Sequence, residues 1–203
     1  MVARGKIIDF IVRKLALLAS LIFAGLTLAG CGAPGGPVTA TPSQVEALEV
    51  AFLAMGDTVD PAEAARAAEV TYLSTRQQAL AYEITDAPLI HNIKVNHGLR
   101  PRGLCYQWAD DLEARLRAEN FQTLEIHRAI ANSENAILIE HSTVILSSHG
   151  DTMQDGVVLD GWRYGGDLFW APFDEDTRYG WVARQDVFAM KRARVARVAR
   201  RAE

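Results

Sequence analysis

The sequence predicts an α+β domain in which helices come first and an antiparallel sheet follows. Up to Asn120 the apolar residues recur at helical spacing between recognisable caps. After Asn120 they recur in short β-like runs broken by turn signals. No internal repeat suggests a solenoid.

Each element has its own signal. Ser43–Gly56 carries Val45, Leu48, Val50, Phe52 and Leu53 and ends at Gly56, which predicts a first helix. The second begins at Asp60, a natural N-cap, with Pro61 in the first position and Glu63 completing a capping-box pattern. It runs to about Tyr82 and stops before Pro88. Asn92–Gly103, with glycine and proline at intervals, reads as a loop. Leu104–Asn120 is a third helix whose Cys105, Trp108, Ala109, Leu112 and Leu116 form one stripe. "TLEIHRAIA" (123–131) and "AILIEHSTVIL" (136–146) are strands joined by the hairpin signal "NSEN". "GVVLD" (156–160), "DLFWA" (167–171) and "YGWVA" (179–183) are further short strands.

The ends differ from this body. Residues 1–14 carry Arg4, Lys6, Arg13 and Lys14 against Asp9, and an apolar run, Leu15–Gly30, follows. It is short and rich in small residues at its end, as a secretory signal is. It closes on "LAGC", which resembles the lipobox of bacterial lipoprotein signal peptides. The resemblance implies cleavage before Cys31, lipidation of Cys31 by diacylglyceryl and fatty acyl (palmitate-type) chains, and a mature chain anchored in the cell envelope, facing the periplasm. Gly32, rather than Asp, after the cysteine points to the outer membrane. An uncleaved N-terminal anchor is the alternative. The expected organisation is a signal at 1–30, a lipidated cysteine and Gly/Pro-rich tether at 31–44, one domain at 45–190 and a basic tail at 191–203. About 150 residues between tether and tail can build their own core.

The chain has 21 basic and 25 acidic residues, net −4, but the charge is divided. Residues 1–30 hold four bases and one acid, and Lys191–Glu203 holds six and one. The body between has 11 bases against 23 acids. Such a body argues against nucleic acid as a partner. The tail suits anionic lipid or cell-wall polymer, because Val195 and Val198 share one side of a helix and arginines cover the rest. A solvated, frayed terminus would look the same.

With Cys31 lipidated, Cys105 is alone and cannot close an intrachain disulfide. It sits where a glycine-bearing loop becomes a helix. Free amide N–H groups and the positive end of the helix dipole favour thiolate there. A small apolar residue on the buried stripe is the plainer reading. His141 lies inside an aliphatic run and needs a partner. Asp160 ends another. If "AILIEHSTVIL" and "GVVLD" form a symmetric hairpin through "SSHGDTMQD", His141 stands directly opposite Asp160, with β-carbons about 5 Å apart. A carboxylate there orients the imidazole, and a thiol packed alongside completes the arrangement used in nucleophilic catalysis.

A cysteine at a helix start, a histidine on a strand and an aspartate on the next strand resemble the papain-like cysteine hydrolases, in particular their transglutaminase-like branch. "GLCYQWADDL", "EHSTVIL" and "VVLDGWR" carry the likeness, over roughly Gly98–Trp181. It implies a papain-like core with Cys105 as nucleophile, His141 as general base and acid, and Asp160 as the residue orienting the histidine. Trp162 resembles the tryptophan that shields the third triad member in that superfamily. The Cys105 N–H is a natural oxyanion donor, with Asn96 or Gln107 as a second. The familiar "DP" after the acid is "DG" here.

The remaining histidines rank lower. His127 points away from His141's face in a symmetric "NSEN" hairpin, His149 lies on a turn, and His91 and His97 lack metal-ligand spacing. No zinc site, phosphate loop or dinucleotide fingerprint is evident, so no cofactor or metal is expected. The aromatics from Trp162 to Trp181 are either sheet packing or a cleft wall. Two functions follow. One is a lipid-anchored periplasmic thiol hydrolase or acyltransferase acting on amide bonds of a peptide, protein or cell-wall substrate. The other is a catalytically inactive lipoprotein that keeps the fold as a binding or scaffolding module.

Overall fold

A computed structural model describes residues 37–202. The signal segment, its cleavage point and Cys31 lie outside those residues. Among the described residues, five helices and one open five-stranded antiparallel sheet make an α+β fold. The helices are α1 (Pro42–Leu53), α2 (Pro61–Ala81), α3 (Pro88–Asn96), α4 (Cys105–Arg117) and α5 (Arg184–Ala202). The strands are β1 (Leu124–Ala131), β2 (His141–Ser148), β3 (Val157–Asp160), β4 (Phe169–Pro172) and β5 (Val182–Ala183). They lie in the order β4-β3-β2-β1-β5.

Strand alternation divides the sheet residues between two faces. Val144, Leu146, Leu124, Val157 and Leu159 turn to one face and join Leu48 and Phe52 of α1, Ala64, Ala67 and Ala68 of α2, and Ala109, Leu112 and Leu116 of α4 in the main core. The alanines of α2 let the helices approach closely. All five residues of the stripe predicted on α4 are buried. Arg128 of β1 reaches from the sheet to α4, bonding Asp110 at 2.6 Å and Glu113 at 2.7 Å while itself buried. The other face carries Ala129, Ala131, Ile145 and Val158, covered by Met153 and Trp181.

Several boundaries differ from expectation. The tether ends earlier than Gln44, because Thr41 caps α1 and exchanges hydrogen bonds with Gln44. Asn92–Gly103 is not all loop. Pro88, in the first helical position, opens α3, which runs to Asn96. The basic tail is not separate from the domain, since α5 begins at Arg184 and crosses residue 190.

The second strand begins only at His141, and Ala136–Glu140 lies in a loop. Asn132, at φ 62°, turns the chain out of β1, and its side-chain amide donates to Ile139 O at 3.1 Å. Asn135 Oδ1 accepts from the N–H of Ile137 and of Leu138, both at 2.9 Å. Side chains thus satisfy the backbone that a strand partner would have satisfied. The apolar pattern of this stretch is strand-like, but its side chains are exposed.

Glu63 was expected to close a capping box. Asp60 does accept from Glu63 N, but the Glu63 carboxylate turns away and binds Gln122 N, Thr123 N and Thr123 Oγ1, all within 3.0 Å. It pins the start of β1 to α2. Burial pushes its pKa up, but these bonds outweigh burial and hold it below the ordinary value. Glu63→Ala removes the shared acceptor of Gln122 N, Thr123 N and Thr123 Oγ1 at the partly exposed start of β1 and should lower stability by about 1–2 kcal/mol, read as a reduced urea midpoint.

Candidate active site

Cys105 is the first residue of α4. The loop before it is held by three side chains. The Gln107 Oε1 accepts from Gly103 N at 2.8 Å and Leu104 N at 3.0 Å. The Trp108 indole donates to Gly103 O at 3.1 Å. His91 of α3, wholly buried, donates from Nε2 to Arg102 O at 2.8 Å. Gly103 is at φ 127°, and a Cβ there would lie 2.4 Å from His91 Nε2, so only glycine fits. Gln107 caps Gly103 and Leu104, while the Cys105 N–H makes no hydrogen bond among the described residues. The Cys105 Sγ points at the start of β2 and donates to Glu140 O at 3.4 Å.

His141 follows Glu140 directly. Its Nε2–H donates to Asp160 Oδ2 at 2.7 Å, and both side chains are almost fully buried. Their juxtaposition is not the direct opposition expected. Val144 faces Leu159 and Leu146 faces Val157, so the register sets Asp160 across from Thr143. The connection is asymmetric because it contains the short 3₁₀ turn Met153–Asp155. The shift is two residues, which preserves the face. His141 therefore reaches Asp160 along the diagonal, a span of about 7–8 Å that a histidine side chain can bridge. By the same alternation the pair lies on the sheet face away from α4. Cys105 approaches at the end of the sheet, where β2 begins.

Aromatic rings enclose the imidazole. Trp162 and Tyr179 lie 4.7 Å from its centroid and Trp181 lies 5.4 Å away. Trp162 is fixed by an indole hydrogen bond of 3.1 Å to Asn92 Oδ1. Asp160 is answered on both oxygens. Oδ1 accepts from the N–H groups of Trp162 and Arg163, each at 3.1 Å, and Oδ2 also accepts from Arg163 Nε at 2.9 Å. Arg163 gives its other two nitrogens to Asp176 at 3.0 and 2.6 Å, and Asp176 accepts from the Trp181 indole at 2.9 Å. Trp181 packs against His141, so the network closes on itself.

The electrostatics follow from this wiring. Burial alone would push the His141 pKa down. The charge and hydrogen bond of Asp160 outweigh it, Cys105 adds to the rise, and the value is raised from 6.5 to about 9. Burial pushes Asp160 up, but His141 and Arg163 together hold it below the ordinary carboxylate range. Asp176 is likewise held low, chiefly by Arg163 against its burial. The second imidazole nitrogen, Nδ1, is buried without a hydrogen-bond partner, and Cys105 is the side chain beyond the Asp160 pair that acts on the ring.

The structure thus brings together Cys105, His141, Asp160 and Trp162. It does not bring in Asn96 or Gln107. Asn96 is exposed at the last position of α3, and the Gln107 carbonyl is committed to capping α4. Asn92, one helical turn before Asn96, holds Trp162 in its place. The clue was Pro88, whose helix-start signal makes Asn92 and Asn96 members of one face. Arg163 and Asp176 were also missed, although an Asp–x–x–Arg spacing in a turn puts an arginine within reach of its aspartate. His127 lies on the same face as His141, not the opposite one, because it pairs with Ile145, and its Nε2 shares a 2.8 Å hydrogen bond with Ser147 Oγ. His149 is on a turn and His97 is exposed at the end of α3.

No family model, curated protein or solved structure matches this chain, so its function has to be argued from the site.

A raised histidine pKa is a stability term. The protonated form is favoured in the folded state, so the stabilisation is complete below the unfolded value of 6.5 and is lost as pH rises through about 9. Urea unfolding of the wild type should therefore weaken across that window, and Asp160→Asn should flatten that part of the profile while lowering stability throughout.

Proposed function

We propose that this chain is a papain-like thiol hydrolase or acyltransferase of the transglutaminase-like kind, lipid-anchored through Cys31 on the periplasmic side of the envelope. One observation carries the reading. A buried imidazole has one nitrogen committed to an ionised aspartate, and its other nitrogen is left for the thiol beside it. Asp160 sets the tautomer and stabilises the imidazolium, as an orienting carboxylate does. The side chain of Cys105 attacks an amide carbonyl as thiolate, and the developing oxyanion takes the uncommitted N–H of Cys105 at the helix start. His141 delivers its proton to the departing amine, leaving a thioester on Cys105. Water or a second amine then attacks the thioester, gives a proton to His141 and frees Cys105 as the thiolate, which restores the starting thiolate–imidazolium pair. Peptide, protein side chain and cell-wall peptide are the substrates that fit the compartment.

One observation favours the second reading, an inactive module. Cys105 is only 8% exposed and packs with Ala79, Tyr82, Ile84, Trp108 and Trp162. Alkylation separates the two. With the full chain in detergent, iodoacetamide should label Cys105 without denaturant, and His141→Ala should slow labelling at neutral pH by about tenfold or more. Labelling that requires denaturant, or a rate indifferent to His141, would leave Cys105 as packing alone.

A further inference from the structure

From Phe188 onward α5 is exposed. Val187 is fully buried, while every residue from Phe188 to Arg201 is exposed. Helical spacing sorts these residues into two faces. Phe188, Val195, Val198 and Ala199 share a stripe, Arg197, Arg200 and Arg201 stand on the opposite side, and Arg194 borders the stripe beside Val198. Lys191 lies within the stripe, between Val195 and Val198, and Arg192 borders it beside Ala199. Among the described residues none of Arg192, Arg194, Arg197, Arg200 and Arg201 comes within ion-pair distance of a carboxylate. An isolated helix of this length is marginal in water, so its stability calls for a partner.

A second apolar feature adjoins it. Ile137, Leu138 and Ile139 are three consecutive aliphatics at the loop after β1, exposed by 92, 55 and 53%. Lys191 of α5 bonds Glu140, the next residue, at 2.5 Å. Ser133 and Glu134 of the same loop line a groove of about 600 Å³ with Met190, Arg194 and Arg197. The loop that carries the three aliphatics therefore stands beside the cationic side of α5.

We infer that the exposed length of α5 and the loop tip Ile137–Ile139 together form a docking surface for an anionic phospholipid bilayer. The arginines meet headgroup phosphates, and their aliphatic stems reach past the apolar stripe to do so. The stripe and the loop tip enter the acyl boundary. A soluble polyanion would satisfy the arginines but leave Phe188, Val195, Val198 and three further aliphatics in water, which is why a bilayer is the better occupant. The surface does not depend on the chemistry of Cys105 or on acylation of Cys31.

The test uses the full chain with Cys31→Ser and Cys105→Ala, carrying an environment-sensitive fluorophore on Val198→Cys or, separately, on Leu138→Cys. Both positions are exposed, so labelling does not perturb the core. A label on Arg200→Cys is the control. With vesicles of phosphatidylcholine containing about one-third phosphatidylglycerol, emission from positions 198 and 138 should shift to the blue, and emission from position 200 should stay at its aqueous wavelength. Pure phosphatidylcholine should require about tenfold more lipid or beyond, high salt should reverse the shift, and each Arg→Gln at 194, 197 or 201 should weaken binding about fivefold. If residues 1–30 alone bring the chain to vesicles, the label at 198 stays aqueous, and that result overturns the proposal. So does an equal shift with pure phosphatidylcholine, or an equal shift with a soluble polyanion such as polyglutamate.

Discussion

A carboxylate removed from water must have its lone pairs answered or its charge neutralised. Asp160 is removed from water, and the site is arranged around that demand. Two backbone N–H groups, the guanidinium of Arg163 and the imidazole of His141 answer it. Asp160, Asp176 and Arg163 together carry one surplus negative charge, which a protonated His141 cancels. The raised His141 pKa is thus the charge balance of the whole buried network, and Cys105 stands beside the group that carries the balancing proton. Removing any member leaves another buried charge uncompensated, so the network specifies one arrangement even where it adds little to net stability.

The scaffold contributes position. Strand β2 presents His141 at its first residue, and the loop before it presents Glu140 O to the thiol. Helix α4 is pressed onto the sheet by its apolar stripe and by Arg128, which fixes its lengthwise setting. Its N-terminus is fixed separately by His91, Gln107 and Trp108. The thiol and the imidazole come from elements distant in sequence, and their meeting depends on both attachments.

Much of this was legible in residue order. Helical spacing on α4 marked all five of its buried residues, because an amphipathic helix on a sheet has one obvious inward face. The pairing of His141 with Asp160 was legible too, although by the wrong register. A slip of two residues keeps side chains on one face, whereas a slip of one would have separated them. Less legible were the features set by side chains that bind backbone. Glu63 looked like a cap and is a clamp on β1. Asn132 and Asn135 convert a strand-like run into a loop by taking its hydrogen bonds. Asn92, Arg163 and Asp176 act through tertiary contacts that local periodicity does not encode, and their residue types are common on surfaces.

The most direct test of the buried charge balance is the NMR titration of the His141 imidazole, assigned among the five histidines by its loss in His141→Ala. The resonance should titrate with a midpoint near 9, and alkylation of Cys105 should lower that midpoint. A midpoint at or below the ordinary 6.5, unmoved by alkylation, would show that neither Asp160 nor Cys105 acts on the ring, and the Cys–His–Asp arrangement would then be packing without chemistry.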